Sequence, residues 1–142
     1  KNFPATLYFD EVRTPAYTDC LNHVCQRVLA GDMAGLFHAG GPRRLSLFQI
    51  AQIVNRVGGY DPDLLHGCYR RDAGPMPPRA GNVTMDSSSL AEALGCEPFD
   101  RWPLEERFVP AHPDWHYERN GAWSGSPELL ERVLYRNPGL HV

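Results

Sequence analysis

Arg13-Thr14-Pro15-Ala16-Tyr17-Thr18-Asp19 is the stretch from which the rest of the chain can be read. Ahead of it a short apolar run predicts a strand over Thr6 to Phe9, closed by the acidic turn Asp10-Glu11. Behind it the pattern changes to a helical one. Leu21, Val24, Cys25, Val28 and Leu29 recur at i, i+3, i+4, i+7 and i+8, the spacing of one buried helix face. This predicts a helix from about Thr18 to Ala30, with Thr18 as cap, Asp19 in the first turn and Gly31-Asp32 as the stop. An arginine fixed at a strand-to-helix turn is placed to hold an anion. Its planar fork matches phosphate or carboxylate oxygens and stays charged at any working pH. A helix N-terminus beside it also favours negative charge. The plainer reading pairs Arg13 with Asp10, Glu11 or Asp19.

Working outward, Leu36-Phe37-His38-Ala39 is a compact apolar run ended by Gly40-Gly41-Pro42. Its length and flanking glycines predict a buried strand. The second helix has the clearest start in the chain. Ser46 and Gln49 form a capping box, Leu45 and Ile50 a hydrophobic staple. Leu47, Ile50, Ala51, Val54 and Val57 make its core stripe, and Gly58-Gly59 supplies a left-handed stop. Arg43 and Arg44 precede this helix and read as solvated surface rather than phosphate contacts. After the turn at Asp61-Pro62-Asp63, Leu64 to Arg70 reads as extended. Residues 72–82 then form a long loop rich in proline and glycine, of the kind that is usually functional or mobile. That loop delivers a second isolated arginine, Arg79, between Pro78 and Gly81. Val83-Thr84-Met85 leads into a helix capped by Asp86, with Leu90, Ala93 and Leu94 on its face and Gly95 as its stop. Residues 98–125 are rich in Trp, His, Pro and Arg without a clean period. Ser126-Pro127-Glu128 starts a last helix with Leu129, Leu130, Val133 and Leu134 behind it, ended by Asn137-Pro138.

The chain of 142 residues is long enough for one domain with a real core. Its net charge of −3 argues against non-specific nucleic-acid binding, so any anion must be held by local arginines. No apolar run approaches the roughly 18 residues that span a bilayer, and no signal peptide is evident. The first residue is Lys1, and the text reads as a piece of something longer. Cys20, Cys25, Cys68 and Cys96 form no C-x-x-C pair, which predicts free thiols in a reducing cytoplasm. Cys20, His23 and Cys25 share one helix, but Cys25 falls on the apolar stripe and reads as a small hydrophobe. His112 and His116 are four apart, yet Pro113 lies between them and no glutamate follows the first, so this is not a zincin motif. No metal is expected. Phosphate-loop, dinucleotide-fingerprint and nucleophile-elbow motifs are absent. The only lysine is Lys1, so no internal lysine can act as acid, base or phosphate clamp. By itself this stretch is equipped to hold a ligand rather than to transform one, and no catalytic residue is assigned.

Several of these pieces, in this order and at this spacing, resemble the C-terminal substrate-binding part of the extended short-chain dehydrogenase/reductases that act on nucleotide sugars, in particular the dTDP-4-dehydrorhamnose reductase branch. They are Arg13 to Asp19 with its helix, Gly35 to Pro42, Leu45-Ser46 opening the capped helix, and Arg79-Ala80-Gly81-Asn82 with the run Val83 to Leu90. The resemblance covers roughly residues 5–108. It implies a substrate-binding domain over 1–108 and a C-terminal extension with one helix over 109–142. The implied fold is α/β: a small mixed domain of a few short strands, three to four helices and long loops, normally packed on a Rossmann domain. In that family the Rossmann half binds NAD or NADP and carries a Tyr-x-x-x-Lys pair, neither of which lies in this chain. By resemblance, Arg13 and Arg79 match the arginines that contact the diphosphate, and Asn82 matches a loop position near the same site. Ala80 stands where the family has proline. The implied partners are a nucleotide diphosphate-sugar and the chain's own N-terminal Rossmann domain, with no nucleic acid and no membrane. Exposed apolar surface or self-association is expected of the isolated domain, with a homodimer as a candidate assembly. The same branch also resembles the regulatory subunit of methionine adenosyltransferase. On that alternative the surface would serve a protein partner, with Trp102, Trp115 and Trp123 as candidate contacts.

Overall fold

The computed structural model describes residues 3–118 and 125–136. Two short strand pairs organise the N-terminal two-thirds. Strand β1 (Ala5–Tyr8) lies parallel to β4 (Leu65–Cys68), with Ala5 opposite Leu65 and Tyr8 opposite Cys68. Strand β2 (Val12–Arg13) runs antiparallel to β3 (Leu45–Ser46). The extended reading of Leu64 to Arg70 therefore holds from Leu65 through Cys68, between 3₁₀ turns over Pro62–Leu64 and Arg70–Asp72.

Helix α2 (Leu47–Gly58) is the central element and touches β1, β3, β4 and the last helix. Its start is built as the sequence predicts. The Ser46 hydroxyl accepts from Gln49 N at 3.1 Å, and the Gln49 side chain accepts from Ser46 N at 2.9 Å. Gly59 ends it in the left-handed region at φ 70°. Its buried face differs from the expected stripe. Val57 is buried, but Leu47, Ile50, Ala51 and Val54 are only partly so, while Phe48, Gln52, Ile53, Asn55 and Arg56 are buried. The cause is a second covering layer. Residues 112–118 lie over the polar side of the helix, where Gln52 Nε2 donates to the carbonyls of His112 and Pro113 at 3.2 and 2.7 Å.

Helix α1 (Thr18–Ala30) has the predicted bounds but a different cap and a different inner face. Tyr17 occupies the cap position and makes no side-chain cap bond; the Thr18 hydroxyl instead donates to Arg136 O at 2.8 Å. Tyr17, Cys20 and Val24 face the core, with Val28 packed beside them. Leu21 and Cys25 are exposed, and Leu29 is 87% exposed. Tyr17 sets this rotation, because its buried hydroxyl is held by Val133 O and Leu104 N on the C-terminal segment.

Leu36-Phe37-His38-Ala39 forms no strand, and Leu36 is 91% exposed. A strand needs a neighbour to complete its backbone bonds. Here the flanking glycines take other partners: Gly41 N donates to Thr14 O at 3.1 Å and Gly40 N to Ser87 Oγ at 2.9 Å. Helix α3 (Ser88–Leu94) buries Leu90 and stops at Gly95 in the left-handed region. Its cap position is Ser87 rather than Asp86, whose carboxylate accepts from Ser88 N in the turn just before.

Helix α4 (Pro127–Leu134) begins as predicted, with the Ser126 hydroxyl accepting from Leu129 N at 3.1 Å. The Asn137-Pro138 stop and Trp123 lie outside the described residues; the helix has already ended at Leu134. The aperiodic region contributes Phe99, Trp102 and Phe108 to the same buried cluster as Tyr17, Val24, Leu45, Ile53, Val57 and Leu90, joined there by Leu130 and Leu134 of α4. The whole is a small mixed α/β domain with short strands, four α-helices and long connections among the described residues.

Candidate anion-binding site

The site is assembled where the end of the long loop runs beside β2. Val12 N donates to Gly81 O at 2.7 Å and Val83 N to Val12 O at 3.2 Å, with Asn82 bridged in parallel to Val12. This lays residues 79–83 against residues 11–13. Gly81 lets the loop pack closely, since a Cβ there would stand 2.4 Å from Arg70 Nη2 and 3.0 Å from Asp10 O and would push the Arg70 side chain aside.

Arg13 and Arg79 come together on one carboxylate. Glu11 has no exposed surface. Its Oε2 accepts from Arg13 Nη2 at 2.9 Å and from Arg79 Nη2 at 2.9 Å. Arg79 Nε also lies 2.8 Å from Oε1, but its N–H is not aligned on that oxygen. Arg13 Nη1 is fixed by Val12 O at 2.9 Å and Gly81 O at 3.2 Å. The Arg79 guanidinium lies 5.7 Å from the Tyr8 ring centre, within reach of a cation–π attraction. A second acid–arginine unit supports the first. Arg70 donates from its backbone and from Nε to the two Asp10 oxygens, at 3.0 and 3.1 Å, and from Nη1 to Arg79 O at 2.8 Å. The Arg70 backbone N–H is the main cause that holds the Asp10 carboxyl below its ordinary value.

Charge decides what this arrangement can do. Asp10 and Arg70 cancel, and two guanidiniums share the single charge of Glu11, leaving one positive charge in surplus. The Arg13 and Arg79 side chains are 28% and 47% exposed, so that surplus faces solvent. Local positive charge on a chain with negative net charge is suited to holding a specific anion. Asn82 lies beside the pair in the backbone, but its Oδ1 accepts from Thr84 N at 3.0 Å in a local turn. A cavity of about 360 Å³ is bounded by Thr14, Gly41, Arg44, Ser88 and Phe99 among others, and neither Arg13 nor Arg79 lines it.

The remaining candidates lie elsewhere. Arg43 is committed to Glu106 at 2.5 and 3.2 Å, and Arg44 stays exposed. Cys20 is buried, which pushes its thiol upward, whereas His23 and Cys25 are exposed. His112 meets Glu118 at 2.6 Å, while buried His116 faces Gln52 at 3.2 Å. Among the described residues no group of three or more His, Cys, Asp or Glu is gathered closely enough to hold a metal ion. Glu11 and Arg70 are the parts of the site that sequence reading undervalued. Glu11 was legible as a partner for Arg13, two residues on in an extended strand, but nothing local showed that it also serves Arg79.

No protein-family model, curated protein or solved structure matches the chain. No helix among the described residues is long and apolar enough to cross a membrane.

Proposed function

We propose that this chain binds a nucleotide diphosphate-sugar through Arg13 and Arg79. It would act as the substrate-holding half of an NAD(P)-dependent reductase or epimerase similar to the dTDP-4-dehydrorhamnose reductases. The observation that carries this reading is the convergence of the two arginines on Glu11, one of them 68 residues away in sequence. A diphosphate presents several anionic oxygens, and charge-assisted bonds to guanidinium groups are among the stronger ones available to a protein. In this reading cofactor and catalytic Tyr/Lys chemistry come from a Rossmann domain packed on this one. The exposed side chains of Leu21, Leu29 and Leu36 are consistent with such a covering partner. The four unpaired thiols accord with a cytoplasmic setting.

The test is calorimetric titration of the chain with dTDP-glucose, UDP-glucose and GDP-mannose. Saturable binding to at least one is expected, weakened about 10- to 100-fold by Arg79→Ala, as loss of a charge-assisted bond implies. Absence of binding to all three, or binding indifferent to both Arg79→Ala and Arg13→Ala, would overturn the reading.

A further inference from the structure

We propose that Glu11 is a positioning residue for anion recognition: its carboxylate sets the spacing and aim of the two guanidinium groups that grip the ligand. This rests on the function proposed above. A carboxylate at the floor of an anion site is, on charge alone, a liability, because it repels the ligand. Its complete burial makes it more anomalous still, since a buried charge is tolerated only when paired. The geometry resolves the anomaly. Arg13 Nη2 and Arg79 Nη2 both stand 2.9 Å from the same Glu11 oxygen. They are therefore held within reach of one phosphate or of neighbouring phosphates through bonds of about 2.8 Å. Without that shared acceptor, two like charges from separate segments would repel each other and splay apart.

The carboxylate is itself held firmly. Backbone Glu11 O accepts from Leu47 N, the first residue of α2, at 2.8 Å. The strand and the central helix thus locate the carboxylate, and the carboxylate locates the arginines. Arg70 completes the frame by holding Arg79 O, which fixes the loop that carries the second guanidinium. Such preorganisation removes an ordering cost that the ligand would otherwise bear.

Electrostatics and positioning predict opposite signs, and this makes the proposal testable. Glu11→Gln removes a negative charge from the site. If Glu11 only competes with the ligand, the variant binds anions more tightly. If Glu11 positions the arginines, it binds more weakly despite the added positive charge. The experiment compares inorganic pyrophosphate, inorganic phosphate and dTDP-glucose on wild type, Glu11→Gln and Glu11→Asp by calorimetry. The expected result is a loss of about tenfold for pyrophosphate and dTDP-glucose in both variants. The preference for pyrophosphate over phosphate should fall toward one, a change that partial unfolding would not produce. Normal or tighter pyrophosphate binding by Glu11→Gln would overturn this inference while leaving the proposed function standing. Failure of the wild type to bind dTDP-glucose would remove both. Should Glu11→Gln not fold, Glu11→Asp decides, since it keeps the charge and withdraws it by one methylene. Should neither fold, the Arg79 Nε–Hε resonance of the ligand-free wild type decides: its ¹⁵N relaxation should show the guanidinium as ordered as the backbone around it, and a freely mobile Arg79 side chain before ligand is added overturns the inference.

Discussion

The guanidinium of Arg56 lies 4.0 Å from the centre of the Trp115 ring and donates through Nη1 to the carbonyl of that same residue at 3.1 Å. One side chain of α2 thereby holds both the ring and the backbone of the segment that covers it. Burial lowers the Arg56 pKa, and the nearby Glu118 carboxylate counters that shift. Replacing Arg56 by Met keeps most of the volume but removes the donor and the cation. The expected cost is about 2 kcal/mol, from a lost buried hydrogen bond and a lost cation–π contact. Urea denaturation followed by tryptophan fluorescence checks it, and an unchanged midpoint would rule the clasp out as a stabilising contact.

Tyr17 is the analogous tie for α1. Its hydroxyl donates to Val133 O at 3.1 Å and accepts from Leu104 N at 2.8 Å. Tyr17→Phe leaves both groups without that partner and should destabilise by about 1–3 kcal/mol, as read from thermal or urea unfolding.

Alkaline pH should act through the same region. Burial raises the pKa of the Tyr17 phenol above 10.0 and that of the Cys20 thiol above 9.0. The unfolded chain releases these protons first, so unfolding gains ground as pH rises. The stability from these groups is complete below pH 9.0, the unfolded thiol value, and declines above it. Cys20→Ala should therefore flatten the first part of the alkaline decline in a melting-temperature profile. An identical profile would remove the thiol from the explanation.

Acid should act on the candidate site. Asp10 titrates below its ordinary value of 3.8 in the folded chain, chiefly because Arg70 N donates to it. A depressed folded value means that its contribution is present above 3.8 and lost as pH falls through the folded value. Asp10→Asn should reproduce the acid state at neutral pH by loosening Arg70 and, through Arg79 O, the loop. Amide hydrogen exchange of residues 79–83 would register this as faster exchange in Asp10→Asn than in wild type.

Gly41 offers a test of packing alone. A Cβ there would meet Pro15 O at 1.9 Å, a backbone atom that cannot swing aside. Gly41→Ala should cost about 3 kcal/mol, at the top of the usual overpacking range, whereas Gly74→Ala adds a Cβ that meets nothing within 4 Å. Gly74 has φ 83°, so its variant carries a modest backbone penalty only. Unfolding midpoints of the two variants should separate clearly, and equal midpoints would contradict the close approach.

What could be read from the sequence was local. The capping box at Ser46 and Gln49, the glycine stops at Gly59 and Gly95 and the start at Ser126 depend on residues within one turn, and all appear as expected. What could not be read was which neighbour each segment meets. Leu36 to Ala39 has a strand's composition but no strand beside it. The stripe Leu21, Cys25, Leu29 has helical period, yet Tyr17's hydrogen bonds at Val133 and Leu104 turn another face inward. Arg13 and Arg79 were each visible as isolated arginines. Their meeting on Glu11 depends on the backbone bonds of Val12 to Gly81 and Val83, which no local pattern encodes.

The parallel pairing of β1 with β4 has a bearing on how the protein is made. Parallel neighbours cannot be closed by a tight hairpin, so Ala5–Tyr8 has to wait for Leu65–Cys68 to arrive. While the chain is still emerging from a ribosome, Arg13 waits with Glu11 and lacks its distant counterpart. The meeting of Arg13 and Arg79 on Glu11 is therefore complete only once residues 79–83 have been made and laid beside Val12.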